Sequence, residues 1–216
     1  MQPARRSNEE RREHSIQQVL SAALQLFVSK GYENATIDTI AAEAGLTKGA
    51  VYFYFKGKAA LLHALLDDAE QLYADIFAQL KSSGESPIKQ LEMFVDWCAE
   101  TGAENQELLV LPILISLQAM GKDAEVAAHL KRMYERYHEE MARVTRDGQA
   151  RGLFDNRVAV RERAAVLVAL TDGMLLEWYR FSGALDGRAP VSYTHLRAHE
   201  TLRYLVCRLL LEKKKK

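Results

Sequence analysis

The sequence predicts an all-α protein, and three observations support that prediction. Apolar residues near the N-terminus recur every three or four positions, the spacing of one face of an amphipathic helix: Ile16, Val19, Leu20, Ala23, Leu24 and Phe27. Residues 36–58 read as two short helices around a glycine turn, followed by the start of a longer helix. Ser86 and Pro87 form a strong helix start, since serine caps helices and proline suits the first helical position.

Residues 36–58 are the stretch on which the rest of the prediction depends. Thr36 is a suitable N-cap, and the apolar face behind it consists of Ile37, Ile40, Ala41 and Ala44. Gly45 stands where the first short helix must end with a positive φ, a conformation that costs little only for glycine. Thr47 caps a second short helix over residues 48–55. Two helices joined by such a turn are typical of the helix-turn-helix of DNA-binding proteins.

The second short helix has the side chains of a recognition helix. Gly49 and Ala50 are small, so the helix N-terminus can enter a major groove closely. Lys48 can donate to guanine edges or to phosphate, whereas the tyrosines can donate hydroxyls to phosphate while their rings pack on sugar or a thymine methyl. The alternative for both tyrosines is that they merely cover the junction with the next helix. The predicted DNA-binding residues are Thr36, Thr47, Lys48, Gly49, Ala50, Tyr52, Tyr54, Lys56 and Lys58.

Lys58 gives an independent indication of an anionic partner. It begins the first turn of the next helix, with Gly57 at the N-cap position. A cation there opposes the helix dipole, at a cost of about 0.3–1 kcal/mol. A nearby phosphate would remove this conflict, because a helix N-terminus and a lysine together form an anion site. The alternative is an exposed lysine without consequence.

Further helix signals continue through the rest of the chain. The helix that begins near Lys58 is predicted to extend to about residue 81. Pro112 should kink a later helix, because proline removes one backbone donor and clashes with the preceding turn. A long amphipathic helix is predicted over about residues 123–150, after a break at Gly121, and Asn156 is predicted to cap the last helix.

The composition excludes several classes of protein. The 216 residues are 48% hydrophobic, as in an ordinary globular protein, and no apolar run reaches the length of a membrane span. The basic N-terminus lacks the apolar segment of a signal peptide, so we expect a cytoplasmic protein with no membrane partner. Cys98 and Cys207 give neither a disulfide framework nor a metal spacing. His129 and His138 are unconvincing ligands, and we expect no metal and no cofactor.

The charges are unevenly distributed, although 29 basic and 29 acidic side chains cancel in total. Residues 1–60 carry a net charge of +2, residues 61–190 of −7 and residues 191–216 of +5. A slightly positive N-terminal part and an acidic remainder fit a DNA-binding head on a body that does not bind DNA. The arginines near the start form either a basic arm close to DNA phosphate or a solvated helix start: Arg5, Arg6, Arg11 and Arg12.

Residues 191–216 resemble the translation of sequencing-library adapter DNA. The segments VSYTHLRAHET and LVCRLLLEK correspond in frame to two fixed adapter blocks, and the closing lysines to a run of adenines. We therefore predict that this tail is not native. The alternative is a basic C-terminal helix with Leu205, Val206, Leu209 and Leu210 on one face.

The order and spacing of residues within about residues 13–73 form a specific pattern. The segment GLTKGAVYFYFKGK carries the most specific part of it. The other matching positions are Phe27, Gly31, Tyr32, Thr36, Ile40, Ala41, Ala44, Leu61 and Leu62. In these positions the chain resembles the TetR/AcrR family of bacterial transcriptional regulators. Gly57 departs from the pattern, which more usually has serine or asparagine at that cap.

The resemblance implies an all-helical homodimer that binds a palindromic operator, usually as a repressor released by a small ligand. It implies a helix-turn-helix DNA-binding domain over residues 13–73, with the motif itself at residues 36–55, and a helical ligand-binding and dimerisation domain over residues 74–190. The expected partners are double-stranded operator DNA, a second copy of the chain and a small lipophilic ligand. When bound to DNA, the protein would be associated with the bacterial nucleoid.

The same resemblance directs attention to two sets of residues in the second domain. An apolar, aromatic cavity with a few polar groups suits a lipophilic ligand, and its candidates are Phe94, Trp97, Leu111, Leu114, Gln118, Met133, Tyr137, Met141, Met174 and Trp178. In the family the last two helices form the dimer interface. A stripe of small residues would allow close helix approach there: Ala165, Ala169 and Gly173.

Two other classes of function are considered beside a regulator. A helical-bundle enzyme is disfavoured, because no nucleophile–base set, no Glu-x-x-His pair and no phosphate-binding loop can be placed in the sequence. A dimerisation or scaffold protein without DNA binding is the other alternative. Replacement of Lys48 and Tyr52 by alanine separates it from a regulator, since only a regulator would lose DNA binding while keeping its fold.

Overall fold

The computed structural model describes residues 7–119 and 123–181, and within these ranges the chain forms eight α-helices and no strand. The all-α prediction is therefore confirmed for the described residues. The helices are α1 (Asn8–Lys30), α2 (Ile37–Glu43), α3 (Lys48–Tyr54), α4 (Lys58–Ser82), α5 (Pro87–Glu104), α6 (Gln106–Ala119), α7 (Ala124–Ala150) and α8 (Val160–Arg180).

Most helix starts lie where the capping signals place them. At α1 the backbone N–H of Glu10 donates to Ser7 Oγ at 3.1 Å, and the N–H of Ser7 donates to the Glu10 carboxylate at 2.6 Å. This reciprocal pair is a capping box, which satisfies two backbone donors. Ser86 caps α5, where Pro87 occupies the first position.

The start of α8 differs from the prediction. Asn156 does not cap this helix; the N-cap is Ala159, whose side chain makes no capping hydrogen bond. The preceding segment is held by contacts that sequence spacing does not show. The Gln149 amide donates to the backbone carbonyls of Asp155 at 3.0 Å and Val158 at 2.8 Å, and Arg163 donates to the carbonyl of Asp155 at 2.9 Å. The chain therefore turns through these residues before the helix begins.

The described residues form two compact units, and the first comprises residues 7–69, 111–119 and 123–129. In it α1 packs on α2, and α2 packs on α3. Its core is apolar and enclosed, and seven of its side chains are 0% exposed: Val19, Ala23, Phe27, Ile40, Val51, Leu61 and Leu62. Burial of this kind stabilises by roughly 25 cal/mol per Å² of apolar surface, which holds two helices of only seven residues in place.

Among the described residues, the second unit comprises residues 70–110 and 130–181. Within it α5 packs against α8. Gly102 of α5 lies against the ring of Trp178, and a Cβ at this glycine would lie 2.7 Å from a ring carbon. A larger residue would force these two helices apart, so the glycine here serves close packing.

Four sequence predictions lie wholly or partly outside the described residues. They are the basic arm at Arg5 and Arg6, the chain break at Gly121, the thiol of Cys207 and the adapter-like tail over residues 191–216. The interpretation of the tail therefore stays a prediction. Among the described helices, none combines the length and the hydropathy needed to cross a membrane.

Candidate nucleic-acid interface and ligand cavities

The helix-turn-helix is built from two local capping systems in the first unit. Thr36 Oγ1 accepts from the backbone N–H of Thr39 at 3.2 Å, and the Thr39 hydroxyl accepts from the N–H of Thr36 at 3.0 Å. Gly45 has φ +68°, and the N–H of Leu46 donates to the carbonyl of Ala41 at 2.9 Å, which closes the end of α2. Thr47 Oγ1 then accepts from the N–H of Ala50 at 3.2 Å and starts α3. The two predicted caps and the glycine turn are thereby confirmed.

The α3 helix turns one face to the core and leaves the other open. Val51 is fully buried and Phe55 is half-buried. Thr47, Lys48 and Gly49 are exposed, and a Cβ at Gly49 would meet only the Thr47 side chain, at 3.9 Å. The other predicted contacts are exposed or half-buried: Thr36, Ala50, Tyr52, Tyr54 and Lys56. An open helix N-terminus of small and hydroxyl residues can approach a DNA groove closely.

Lys48 has an ion-pair partner within the motif. Its Nζ lies 2.8 Å from Asp38 Oδ2, and both side chains are more than half exposed. The hydrogen bond to this carboxylate raises the pKa of Lys48 above its usual value. An exposed pair of this kind contributes little to stability, so the lysine can exchange it for a DNA acceptor.

Lys58 is held by the end of α1. Its Nζ donates to the backbone carbonyl of Tyr32 at 2.7 Å and lies 4.3 Å from the centre of the Tyr32 ring. A second carbonyl, that of Glu33, lies at 3.4 Å. These two carbonyls and the Tyr32 ring stabilise the positive charge of Lys58 at the start of α4. The charge therefore has partners within the chain and does not require a phosphate. The sequence offered no signal for this pairing, which joins residues 26 positions apart.

Gln118 of α6 also contacts Tyr32, the residue that binds Lys58. Its side-chain oxygen accepts from the backbone N–H of Tyr32 at 3.3 Å, and the Tyr32 ring packs edge-on against Phe27 with 5.1 Å between ring centres. Gln118, Leu111 and Leu114 belong to the first unit. None of the three lines either of the two cavities of the second unit.

Phe53 is a surface residue of α3 that the site prediction did not include. Its side chain is 79% exposed, more than that of any other large apolar residue in the described ranges. It packs edge-on against Tyr54, with 5.2 Å between ring centres. The sequence could have predicted this exposure. Phe53 follows the buried Val51 by two residues, which places its side chain about 200° from that of Val51 around the helix. The exposed face of α3 therefore carries an aromatic ring beside its polar groups.

The second unit contains an aromatic cluster contributed by α4, α5 and α7. Adjacent ring centres within it lie 5.0–6.1 Å apart. We call this set the aromatic cluster: Tyr73, Phe77, Phe94, Trp97 and Tyr137. Three predicted pocket residues, Phe94, Trp97 and Tyr137, thus lie together.

Two cavities adjoin the aromatic cluster. A groove of about 310 Å³ between α4 and α7 is lined by Tyr73, Phe77, Met133 and Tyr137, together with charged side chains. A second cavity of about 30 Å³ is almost wholly apolar and is lined by residues including Phe94, Met141 and Met174. Trp178 lines neither cavity and packs on Gly102.

Asp172 of α8 is a second residue that the site prediction did not include. Tyr134 Oη donates to its Oδ2 at 3.3 Å. Burial raises the pKa of Asp172 to about 6, although the Tyr134 hydrogen bond acts in the opposite direction. Carboxylates whose pKa is raised by burial are enriched at functional sites. An aspartate on a predicted core helix is the signal that could have drawn attention to it.

The predicted dimer residues lie on one exposed face of α8. Ala165, Ala169 and Gly173 are all exposed, and a Cβ at Gly173 would meet nothing within 4 Å. Val166 beside them is 43% exposed. Within the described part of the chain, this face is therefore open to the approach of another helix.

Two family descriptions match the chain in succession. The description "Bacterial regulatory proteins, tetR family" matches residues 19–65. The description "BetI-type transcriptional repressor, C-terminal" matches residues 87–209, more than half of the chain. The second match extends into the residues for which an adapter origin is predicted.

Similar proteins include several that are named as transcriptional regulators. The solved MbdR regulator from Azoarcus sp. CIB is 34% identical, with a TM-score of 0.76 over 83% of this chain and 94% of that one. The repressor BepR of Brucella suis biovar 1 (strain 1330) is 27% identical over 78% of this chain and 82% of its own length. FadR from Bacillus subtilis, solved in complex with stearoyl-CoA, shares the fold at 18% identity and a TM-score of 0.66, over 82% of this chain and 94% of that one.

Proposed function

Because the chain belongs to the TetR family of transcriptional regulators, we propose that it is a repressor that binds a palindromic operator as a homodimer and is released by a small ligand. Members of this family regulate transcription and are not enzymes, which removes the helical-bundle enzyme from consideration. The observation that supports the proposal most strongly is the open N-terminal face of α3 within a fully capped helix-turn-helix.

In the proposed complex α3 enters the major groove by its N-terminus. Lys48 leaves Asp38 and donates to a guanine edge or a phosphate, while Gly49 and Ala50 allow the backbone to approach the base pairs. Tyr52 and Tyr54 donate to phosphate, as do Thr36, Thr47 and Lys56 at the edges of the motif. The two heads of a dimer then bind half-sites about one helical turn or a multiple apart.

Lys58 has a different place in this proposal. Its ammonium group is already bound by the Tyr32 carbonyl and ring. A phosphate contact by Lys58 would require this group to leave Tyr32 or to bind both partners at once. The free backbone N–H groups at the start of α4 offer a phosphate site that needs no such change. Lys58 therefore contributes mainly by fixing the start of α4 against the end of α1.

The ligand is proposed to act through the second unit. Its groove of about 310 Å³ lies within the usual size range of small-molecule sites. To release DNA, a ligand must bind the DNA-free state more tightly than the DNA-bound state, since equal affinity shifts no equilibrium. Two solved relatives of the fold bind stearoyl-CoA and choline, so the fold accommodates chemically different ligands. A DNA-bound regulator of this kind would act in the cytoplasm, on the nucleoid.

Titration of labelled DNA from upstream of the protein's own gene tests the proposal. We expect saturable binding whose affinity falls steeply with salt concentration, because lysine–phosphate contacts release counterions. The variant Lys48→Ala with Tyr52→Ala should lose this binding and keep the helical circular dichroism of the wild type. Wild-type protein that dimerises but binds none of this DNA would instead support the dimerisation or scaffold alternative.

A further inference from the structure

Two histidines from different helices of the first unit meet at their ring edges. His63 lies on α4 and His129 on α7, and their Nδ1 atoms are 2.9 Å apart. The ring planes are within 8° of parallel and the ring centres are 5.2 Å apart, so the two nitrogens lie between the rings. Spacing in the sequence does not show this pair, because 66 positions separate the two residues.

The carboxylate of Asp67 lies on the other side of the His129 ring. Its Oδ1 is 3.4 Å from His129 Nε2, and Asp67 follows His63 on α4 by about one helical turn. A carboxylate in this place favours the tautomer of His129 that has its proton on Nε2. The lone pair of His129 Nδ1 then faces His63, whose Nδ1 supplies the proton between the two rings.

This arrangement has the parts of a metal site with an orienting carboxylate. Imidazole nitrogens bind Zn²⁺ and other divalent first-row metals. A histidine that binds a metal through one ring nitrogen usually donates the N–H of the other to a carboxylate, a carbonyl or water. Two nitrogens on a tetrahedral Zn²⁺ lie about 3.3 Å apart, because each Zn–N bond is about 2.0–2.1 Å long. The two rings therefore need to separate by only about 0.4 Å and to rotate slightly.

The surroundings of the pair would let an ion enter and keep water. His129 is buried, with 6% of its surface exposed, whereas His63 is half-buried and Asp67 is exposed. One ligand is thus held firmly by the fold while the other side of the site is open to solvent. None of the three residues lines either cavity of the second unit.

We propose that His63 and His129 bind a divalent metal ion such as Zn²⁺ through their Nδ1 atoms, with Asp67 as the residue that positions His129. The ion takes the place of the proton between the rings, and His63 carries that proton on Nε2 instead, so the pair loses none. Water completes the four-coordinate ion. The ion joins α4 to α7 within the unit that contains the helix-turn-helix. The proposal does not depend on repressor function, because these residues belong to neither the DNA-binding nor the pocket set.

Calorimetric titration of ZnCl₂ into chelator-treated full-length protein at pH 7.5 tests the proposal. We expect the wild type to bind one Zn²⁺ per chain more than His63→Gln, which removes one ligand at a half-buried position. Asp67→Asn should keep the site but bind Zn²⁺ about tenfold more weakly, because the loss of an orienting carboxylate typically costs about 10–100-fold in metal affinity.

The matched control is His14→Gln, which removes an exposed histidine from α1 and should bind Zn²⁺ as the wild type does. The histidines and the cysteine of residues 191–216 are present in every variant, so any Zn²⁺ that they bind cancels in the comparison. MgCl₂ should give no heat at this site, because Mg²⁺ prefers oxygen ligands. Melting curves without metal verify that the variants are folded.

Long-range ¹H–¹⁵N NMR spectra of the wild-type histidine rings identify the nitrogens that bind, even if a variant fails to fold. We expect Zn²⁺ to shift Nδ1 of His63 and of His129. Equal Zn²⁺ binding by the wild type and a folded His63→Gln would overturn the proposal and leave the pair as a hydrogen-bonded contact. Unchanged affinity in Asp67→Asn would remove the positioning role of Asp67, and ring spectra that Zn²⁺ does not alter would exclude the site altogether.

Discussion

Lys48 is the single side chain on which recognition depends most in this account. Lys48→Ala should weaken operator binding and reduce the slope of log affinity against log salt by about 0.9, because one phosphate or groove contact is lost. The matched control is Lys89→Ala, another exposed lysine paired with a nearby carboxylate, on α5. Fluorescence anisotropy over a range of salt measures both. Equal affinities and equal slopes for Lys48→Ala and the wild type would exclude Lys48 from the interface.

Phe53 should contribute to DNA binding and not to folding. Its ring is 79% exposed, so Phe53→Ala should change the free energy of unfolding by less than about 0.5 kcal/mol. Operator binding should weaken by on the order of 1 kcal/mol, through lost contact with a thymine methyl or sugar. Val51→Ala, two residues earlier and fully buried, should show the opposite pattern, with a loss of about 2 kcal/mol in stability. Full operator affinity in Phe53→Ala would place this ring outside the interface.

Asp172 should make stability depend on pH in a defined window. Its pKa in the fold is raised from 3.8 to about 6, so the folded protein holds this proton more tightly than the unfolded chain. The contribution of Asp172 is favourable at low pH and is lost as the pH rises through that window, at most about 3 kcal/mol. Asp172→Asn should therefore raise the melting temperature at pH 7.5 and change it little at pH 4. An equal shift at both pH values would contradict the raised pKa.

At the scale of residues, the helix caps could be predicted from the sequence, whereas hydrogen bonds between residues far apart in the sequence could not. The caps by Ser7, Thr36 and Thr47 follow from side chains three residues from the donors they satisfy. The partner of Lys58 lies 26 positions away, and that of Tyr134 lies 38 away. Only the folded chain brings such pairs together, so spacing in the sequence could not identify them.

At the scale of elements, the contact between α5 and α8 depends on one glycine. Gly102→Ala places a Cβ 2.7 Å from the Trp178 ring, so the helices must separate or the indole must move. We expect a loss of about 1–3 kcal/mol in unfolding free energy, the usual effect of overpacking. The control is Gly173→Ala on α8, where a Cβ meets nothing within 4 Å and helix propensity favours alanine. Chemical denaturation measures both, and a Gly102→Ala protein as stable as the wild type would contradict the close contact.

Helix positions were predictable because capping and periodicity are local. The long α4 and α7, and the start of α5 at Pro87, lie where the sequence places them. The start of α8 could not be predicted, since Gln149 and Arg163 fix the preceding turn through tertiary hydrogen bonds. Only some of the candidate pocket residues belong to the second unit. Leu111, Leu114 and Gln118 of α6 belong to the first unit, and spacing in the sequence does not show that this helix is divided between the two units.

At the scale of the whole molecule, the exposed stripe on α8 should determine the oligomeric state. Ala169→Glu places a charge in the middle of the proposed helix–helix contact and should convert the proposed dimer to a monomer, because a charge cannot be buried there without a partner. Ala128→Glu, at an exposed position of α7, is the matched control and should stay dimeric. Sedimentation velocity distinguishes the two. A dimer that survives Ala169→Glu would place the interface elsewhere.

The central claim is that two copies of this chain recognise a palindromic DNA site through α3. Hydroxyl-radical footprinting of the DNA upstream of the protein's own gene tests it most directly. We expect two protected half-sites of inverted sequence, about one helical turn or a multiple apart, which disappear with Lys48→Ala and Tyr52→Ala. Uniform protection without a defined site, or an unchanged footprint in the double variant, would contradict it.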